Sequence, residues 1–381
     1  MKRKLLVFLS YILVAALATT TTLFLTRDEG YSKLQELEGI IEDYYIDPVD
    51  WTAAEDAAAH GMISGLGDRW SYYIPAAEYA SFVEQNNNAY VGIGITILSQ
   101  EEGDAGFEIM EVLSGGPAEE AGLLVGDIVV AVEGQRTAGM DTTTVRDIVR
   151  GEPGTYVSVT VLREGAELTM DVQRREVMTI VAQGQMLEGN VGLVTIANFD
   201  ARCAQESIAA IEMLREQGAK SILFDVRNNP GGYAHELVAL LDYLLPEGEL
   251  FRSLYYDGRE DVDTSDRDYL DMPMAVLVNA DSYSAAEFFA VALQEYGAAT
   301  VVGEQTSGKG YFQQTFLLED GSAVALSTGK YFTPHGISLE GVGITPDVEV
   351  TVDDETYWEI YYNQLPAEED PQIQAALEIM R

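Results

Sequence analysis

The sequence predicts a mixed α/β chain of several domains: an N-terminal helical arm, an inserted β-rich module and a larger α/β core. Three observations predict it. Apolar residues between Tyr31 and Asn88 recur at helical three- and four-residue steps. Residues 89–176 change to short, β-branched alternating runs separated by Gly-rich turns. From residue 177 to 352, continuous apolar strands alternate with helical patterns, the order expected of an α/β core with chemistry at its strand ends. At 381 residues the chain exceeds one ordinary core, and a 47% apolar composition excludes a disordered protein.

Residues 1–29 read as a cytoplasmic stub and a transmembrane signal-anchor. Lys2, Arg3 and Lys4 precede an uncharged run of 21 residues, Leu5 to Leu25, long enough to cross a hydrocarbon core. The basic flank stays cytoplasmic, so the remainder is expected outside the cytoplasm. Ala16-Leu17-Ala18 offers a signal-peptidase site as the alternative, but the apolar run continues through Phe24 and favours an uncleaved anchor. The 22 Lys and Arg against 63 Asp and Glu leave a formal charge of −41, which repels phosphate backbones and argues against a nucleic-acid partner. Cys203 is alone, so it forms no intramolecular disulfide and no multi-cysteine metal cluster, and its expected role is packing.

The arm, residues 30–88, begins with a helix marked by Leu34, Leu37, Ile40, Ile41 and Tyr44, followed by a second over Thr52 to Leu66 that stops near Gly65 and Gly67. In the β-rich module, Val157, Val159 and Val161 give a half-buried strand. Gly115-Gly116-Pro117-Ala118-Glu119-Glu120-Ala121-Gly122-Leu123 encodes a turn, one helical turn and a Gly stop, with Gly126-Asp127-Ile128-Val129 following. This arrangement resembles a PDZ domain of the bacterial protease type, covering residues 89–176. The resemblance makes Gly92-Ile93-Gly94-Ile95 the carboxylate-binding loop, because glycines let consecutive backbone N–H groups turn toward one anion, and Asp141 to Val149 the groove-lining helix. In the core, residues 177–352, the expected strands and helices are Ser221–Val226 then Glu236–Leu245, Met274–Val278 then Ala286–Tyr296, and Thr300–Val302. Residues 353–381 read as an acidic helical tail.

Ser284 follows a strand and precedes a helix, and Ser284-Ala285-Ala286-Glu287 is a capping-box pattern. A helix N-terminus is also where donors converge on a developing oxyanion, so cap and nucleophile share one geometry. The helix leads about 18 Å away at ~1.5 Å per residue. The strand after it returns a similar distance at ~3.3 Å per residue, which brings Gly308-Lys309-Gly310 back beside Ser284. Lysine between two glycines in a segment entering a core strand is poorly placed to reach solvent. Burial lowers its pKa and makes the amine a base toward a serine hydroxyl. Gln313, four residues on, is expected to hydrogen-bond and orient that amine. Oxyanion donors are expected from the Ala285 N–H and from Gly231 and Gly232 in Asn228-Asn229-Pro230-Gly231-Gly232.

These residues carry a family resemblance. Phe224 through Gly232, Val278-Asn279 through Ser284 and Glu287, and Val302-Gly303-Glu304 through Gly308-Lys309-Gly310 and Gln313 are similar to the C-terminal processing, or tail-specific, peptidases. So are Tyr331 to Gly336, Gly343 to Asp347 and, upstream, Gly61-Met62 and Gly65-Leu66. The resemblance spans residues 31–352 and implies a crotonase-like protease core and a serine endopeptidase that needs no metal or cofactor. Ser284 is then the nucleophile, Lys309 the base, Gln313 its orienting partner and Glu287 a supporting residue. It further implies that the PDZ captures protein or peptide substrates by accessible C-termini and controls access to the site, and that two subunits pair through the arm. Tyr283, where the family has a small residue, and the bulky Phe288 and Phe289 depart from the pattern and bear on pocket shape.

Two alternatives stay open at this level. His60, His335 and His235 are the only histidines. His235, just after the glycine loop, keeps a Ser/His hydrolase in view, with Ser282 as a second candidate nucleophile. The other alternative is a catalytically inactive PDZ scaffold.

Overall fold

A computed structural model describes residues 32–99 and 106–381, so the anchor expected over residues 5–25 lies outside the described residues. Among the described residues no helix is long and apolar enough to cross a membrane. The chain divides into two units, residues up to Gly61 and Met62–Arg381. The first holds α1 (Ser32–Tyr44) and most of α2 (Trp51–Ser64). On α1 the apolar stripe of Leu34, Leu37, Ile40 and Tyr44 is exposed.

The arm does not continue to residue 88 as its periodicity suggested. Residues 72–74 form β1 (Tyr72–Ile74), which pairs antiparallel with the strand Ala323–Phe332. Pro75 then supplies the break: the residue before a proline is pushed to extended backbone, and proline tolerates the start of a helix. Accordingly α3 (Ala76–Asn86) begins directly after it.

The β-rich module is an insertion whose two ends meet. Its first strand, β2 (Ala89–Gly92), leads into β3 (Ile95–Ser99), β4 (Phe107–Val112), α4 (Pro117–Ala121), β5 (Ile128–Val132), β6 (Gln135–Arg136), α5 (Thr142–Val149), β7 (Tyr156–Arg163) and β8 (Ala166–Gln173). The last strand, β9 (Arg175–Met178), returns antiparallel to β2. The main sheet runs β3-β4-β5-β7-β8, with β6 paired to β5. In β7 the alternation read from sequence is realised, with Val157, Val159 and Val161 fully buried. Asp141 caps α5 by accepting from the Thr144 N–H at 2.9 Å, and Gly122 ends α4 in the left-handed region at φ 88°.

The core is built from β10 (Ala182–Met186), β11 (Val191–Ile196), α6 (Cys203–Glu216), β12 (Ser221–Asp225), α7 (Ala234–Leu244), β13 (Gly248–Tyr255), β14 (Glu260–Ser265), β15 (Met274–Val278), α8 (Ala285–Glu295), β16 (Ala299–Gly303), β17 (Tyr311–Leu317), β18 (Ala323–Phe332) and β19 (Val348–Glu349). One sheet has the order β10-β11-β12-β15-β16-β19, parallel from β11 to β19. Every residue of β12 and β15 is buried, as a parallel sheet covered on both faces requires. Phe224, Val276 and Val301 face a cluster completed by α6, α7 and α8. Leu223, Leu277 and Val302 face the other way. The second sheet has the order β1-β18-β13-β14, with β17 also on β18.

The tail is not simply an acidic appendage. After α9 (Asp354–Tyr361), α10 (Pro371–Ile379) covers the second face of the parallel sheet with Ile373, Ala376 and Leu377. Its anchor is ionic. The Arg227 guanidinium, 4% exposed, pairs with Asp225 at 2.6 Å and with Asp370, 3% exposed, at 2.8 Å, and donates to Gln372 Oε1 at 2.9 Å. Asp370 also caps α10, accepting from the N–H groups of Gln372 and Ile373. Burial alone would depress the guanidinium pKa, but the two carboxylates reverse this and hold it above its ordinary value.

Removing one partner of a buried ion pair strands the other, so Asp370→Ala is expected to lower unfolding free energy by about 3–5 kcal/mol. Equilibrium urea unfolding measures this. A loss within the scatter of surface substitutions would mean that the clamp does not hold α10.

Candidate active site

Ser284 sits where β15 turns into α8, at φ 59° and ψ −124°. A non-glycine residue there costs of order 1–3 kcal/mol and persists only when its surroundings over-determine it. Two neighbours do so. Gly231 packs against the turn so closely that an added Cβ would lie 2.7 Å from Ser284 Cβ and 2.9 Å from the Ala285 nitrogen. The second is Glu287, one turn into α8 and fully buried.

Glu287 does more than complete a cap. Its Oε2 accepts from the Ser284 N–H at 2.9 Å and from the Lys309 N–H at 2.8 Å. Its Oε1 accepts from the Gly308 N–H at 2.8 Å and the Thr306 hydroxyl at 2.5 Å. One carboxylate therefore ties the turn after β15 to the loop after β16, and these are adjacent parallel strands.

Lys309 is partly buried and makes no ion pair among the described residues. Its Nζ lies 5.0 Å from the Trp70 ring centroid and 5.8 Å from that of Tyr283, and the two rings stack 6.2 Å apart. Trp70 is held by its indole N–H, which donates to Glu340 at 3.2 Å, while the other Glu340 oxygen accepts from the Gly310 N–H at 2.9 Å. Burial lowers the pKa of the Lys309 amine, and the charges of Glu287, Glu340 and Asp68 offset only part of that shift.

Ser284, Lys309, Gln313, Gly231 and Gly232 line a single cleft of about 500 Å³, together with Trp70, Tyr72, Phe82, Asp200, Tyr233 and Tyr331. Gln313 makes no hydrogen bond to the Lys309 amine among the described residues. Lys309 precedes β17, which starts at Tyr311, so strand alternation does not carry from it to Gln313, whose amide nitrogen donates to Ser327 Oγ at 3.1 Å and Tyr311 O at 3.3 Å. Gly231 also departs from expectation, because its N–H donates to Asn229 Oδ1 at 2.9 Å. Its contribution is space for Ser284. Gly232 lies against Phe199, where an added Cβ would come within 2.3 Å of the Phe199 carbonyl carbon. Ala285 is the first helical residue, so its N–H is one of the groups without an intrahelical acceptor.

The alternative residues lie elsewhere. Ser282 is fully buried, its hydroxyl donating to Val226 O at 2.7 Å and accepting from the Asn279 N–H at 3.0 Å. His235 stacks on Tyr233 with its side chain 75% exposed and lies outside the cleft lining. Phe288 and Phe289 turn into the core, against Phe251 and Tyr331 and against Phe199 and Phe224 respectively. Of the three departures from the family pattern, only Tyr283 reaches the cleft.

In the β-rich module, Gly92 ends β2 and Gly94 takes φ 77°. The carbonyls of Ile93 and Gly94 accept from the N–H groups of Ala118 and Leu113 at 2.9 and 3.0 Å. Gly94 and Ile95 line a separate cleft of about 340 Å³, shared with Tyr90, Leu113 and Ile180.

With this geometry the chain matches known proteins. It is 31% identical over 371 residues to the carboxy-terminal processing protease CtpA of Bacillus subtilis, covering 93% of this chain and 79% of that one. The chain belongs to the C-terminal processing peptidases. Peptidase family S41 matches residues 190–350 and a PDZ domain matches residues 108–163. A probable CtpA-like serine protease of Staphylococcus epidermidis is 32% identical over 361 residues, 91% of this chain and 72% of that one. The solved photosystem II D1 C-terminal processing protease is 27% identical, covering 84% of this chain and 87% of that one at a TM-score of 0.48. Membership makes the protein a serine-type endopeptidase with a mixed α/β core and a PDZ domain.

Within this peptidase the surroundings of Lys309 can be tested without a turnover assay. Glu340→Gln removes a charge that favours the ammonium form, so the Lys309 titration should move to lower pH. In protein labelled with ¹³C-lysine, its Cε resonance should titrate below an ordinary lysine in the parent and lower still in the variant. A shift to higher pH would contradict this electrostatic account.

Proposed function

We propose that the protein is a membrane-anchored, extracytoplasmic endopeptidase that captures protein substrates by their C-termini and cleaves them with a Ser284/Lys309 dyad. The observation that carries the reading is Glu287 Oε2, which accepts from the backbone N–H of both residues while the lysine amine faces two aromatic rings rather than a carboxylate.

In this reading the neutral Lys309 amine takes the Ser284 hydroxyl proton as Oγ attacks the scissile carbonyl. The N–H groups of Ala285 and Gly232 receive the oxyanion. The lysine ammonium then returns its proton to the leaving amine. Water hydrolyses the acyl-enzyme with the same amine as base. Gln313 and Asp68 act at one remove: Gln313 meets Ser327, whose N–H donates to Ser71 Oγ, and that hydroxyl donates to Asp68. The Gly92–Ile95 loop is assigned to the substrate C-terminal carboxylate. The basic flank and apolar run of residues 2–25 support an anchor with the peptidase outside the cytoplasm. The exposed apolar stripe of α1 supports pairing of two subunits through the arm.

Ser284→Ala and Lys309→Ala are each expected to lower kcat by roughly three orders of magnitude or more on an unfolded protein with an apolar C-terminus. Lys309→Arg should be equally inactive, because a guanidinium keeps its proton at accessible pH. Gel-based cleavage decides this, and parental rates in Ser284→Ala would sink the dyad. Since only the neutral amine accepts a proton, kcat should rise with pH along a limb set by the lowered lysine pKa.

Amidating the substrate C-terminus should raise KM while changing kcat less, if the loop at Gly94 binds the carboxylate. Equal KM for the acid and the amide would remove that role from the PDZ.

A further inference from the structure

The cleft has a second end that the dyad does not use. After β11 the chain passes so close to Gly232 that an added Cβ there would lie 2.6 Å from the Asp200 nitrogen. Phe199 turns into the core, fully buried, and Asp200 beside it turns into the cleft with Tyr72, Phe82, Asn86 and Tyr233. The Asp200 backbone is fixed, its N–H donating to Asn198 Oδ1 at 3.0 Å and its carbonyl accepting from the Cys203 N–H at 3.1 Å.

The Asp200 carboxylate meets no cation among the described residues. Arg202, two residues on, turns away to Glu206 and to the carbonyls of Asn87, Asn88 and Thr179. The groups that face Asp200 are the carboxylate of Glu236, the phenols of Tyr72 and Tyr233 and the buried thiol of Cys203. Glu236 is itself held as an acceptor by the Ala204 N–H at 2.8 Å. Arg69 and Lys309 line the same cleft without pairing to Asp200.

We propose that Asp200 is a specificity-determining residue that accepts the cationic head of a substrate lysine or arginine lying within two residues of the scissile bond. The proposal rests on the Ser284-centred reading of the site. A half-buried carboxylate without a counter-charge lacks what such a side chain supplies, and the rings of Tyr72, Phe82 and Tyr233 offer apolar surface for its aliphatic stem. Burial, reinforced by Glu236, pushes Asp200 up to about 7. It is therefore neutral below that pH and ionised above, and the preference for a cation appears as pH rises.

The test uses the full chain and paired peptides with one apolar C-terminus. Each pair carries either lysine or norleucine at one of the two positions on each side of the cleaved bond. The ratio of kcat/KM within a pair cancels the titration of Lys309, which acts on both peptides alike. At the favoured position the ratio should rise roughly tenfold as pH passes from about one unit below to about one unit above the Asp200 midpoint. It should stay flat in Asp200→Asn. A flat ratio in the parent, or one that still rises in Asp200→Asn, overturns the proposal. The parental profile suffices should the variant not fold. Failure of the site reading is seen separately, as parental cleavage by Ser284→Ala. Fluorescence anisotropy of labelled peptides on Ser284→Ala reads the same lysine preference as affinity, with no cleavage step.

Discussion

A buried carboxylate organises this peptidase core. Glu287 projects from the first turn of α8 into a site with no water-exposed surface, and its two oxygens collect four donors from two loops. A charge in such a place is tolerable only when its lone pairs are met, and here three of the donors are backbone N–H groups that cannot move independently of the chain. The constraint runs both ways. The carboxylate needs the loop over residues 306–309 to be folded against it, and that loop takes its path from the carboxylate. Ser284 is held in an unfavourable backbone region by the same contact, with Gly231 closing the other side.

Much of this arrangement was legible in the sequence. The boundaries of β12, β15 and α8 matched their apolar runs within one residue, because strands buried on both faces leave little room for polar interruption. The juxtaposition of Ser284 and Lys309 followed from the length of one helix and one returning strand. What escaped depended on contacts remote in sequence. Trp70 reaches Lys309 across more than half of the chain, and no local pattern marks a loop tryptophan as the wall of a lysine site. Glu287 carried a local signal, the capping box, which named one of its four donors. Gln313 reaches the expected cleft, but its hydrogen bonds go to Ser327 and Tyr311, because Lys309 lies before the strand whose alternation was to join the two. Asp200 was passed over because its neighbours come from β1, α3 and the glycine loop.

Tertiary contacts shape both ends of the described chain in ways that the local pattern does not show. Residues 62–88 continued a helical rhythm, yet β1 was claimed by the edge of β18, a tertiary pairing that overrides local preference in so short a strand. The acidic tail is helical as its sequence suggests, and the few apolar residues of α10 share one face and meet the otherwise uncovered side of the parallel sheet. Arg227 makes that docking specific. It stands at the end of β12, where the strand passes into the glycine loop, so the ion pair that fastens the last helix also steadies the loop against Ser284.

The electrostatics of the cleft follow from the same packing. A chain with a formal charge of −41 would ordinarily hold any lysine in its charged form, and Glu287, Glu340 and Asp68 pull Lys309 that way. All three carboxylates already hold other donors: Glu287 the backbone around the dyad, Glu340 the Trp70 indole and the Gly310 N–H, and Asp68 the Trp70 backbone N–H and the Ser71 hydroxyl. The aromatic walls meanwhile exclude the water that would solvate the ammonium. Tyr283 belongs to this logic: its large ring lies beside the lysine amine and stacks on Trp70. Burial of the amine, to which these two rings contribute, outweighs the three nearby carboxylates and lets an acidic protein keep Lys309 below its ordinary pKa.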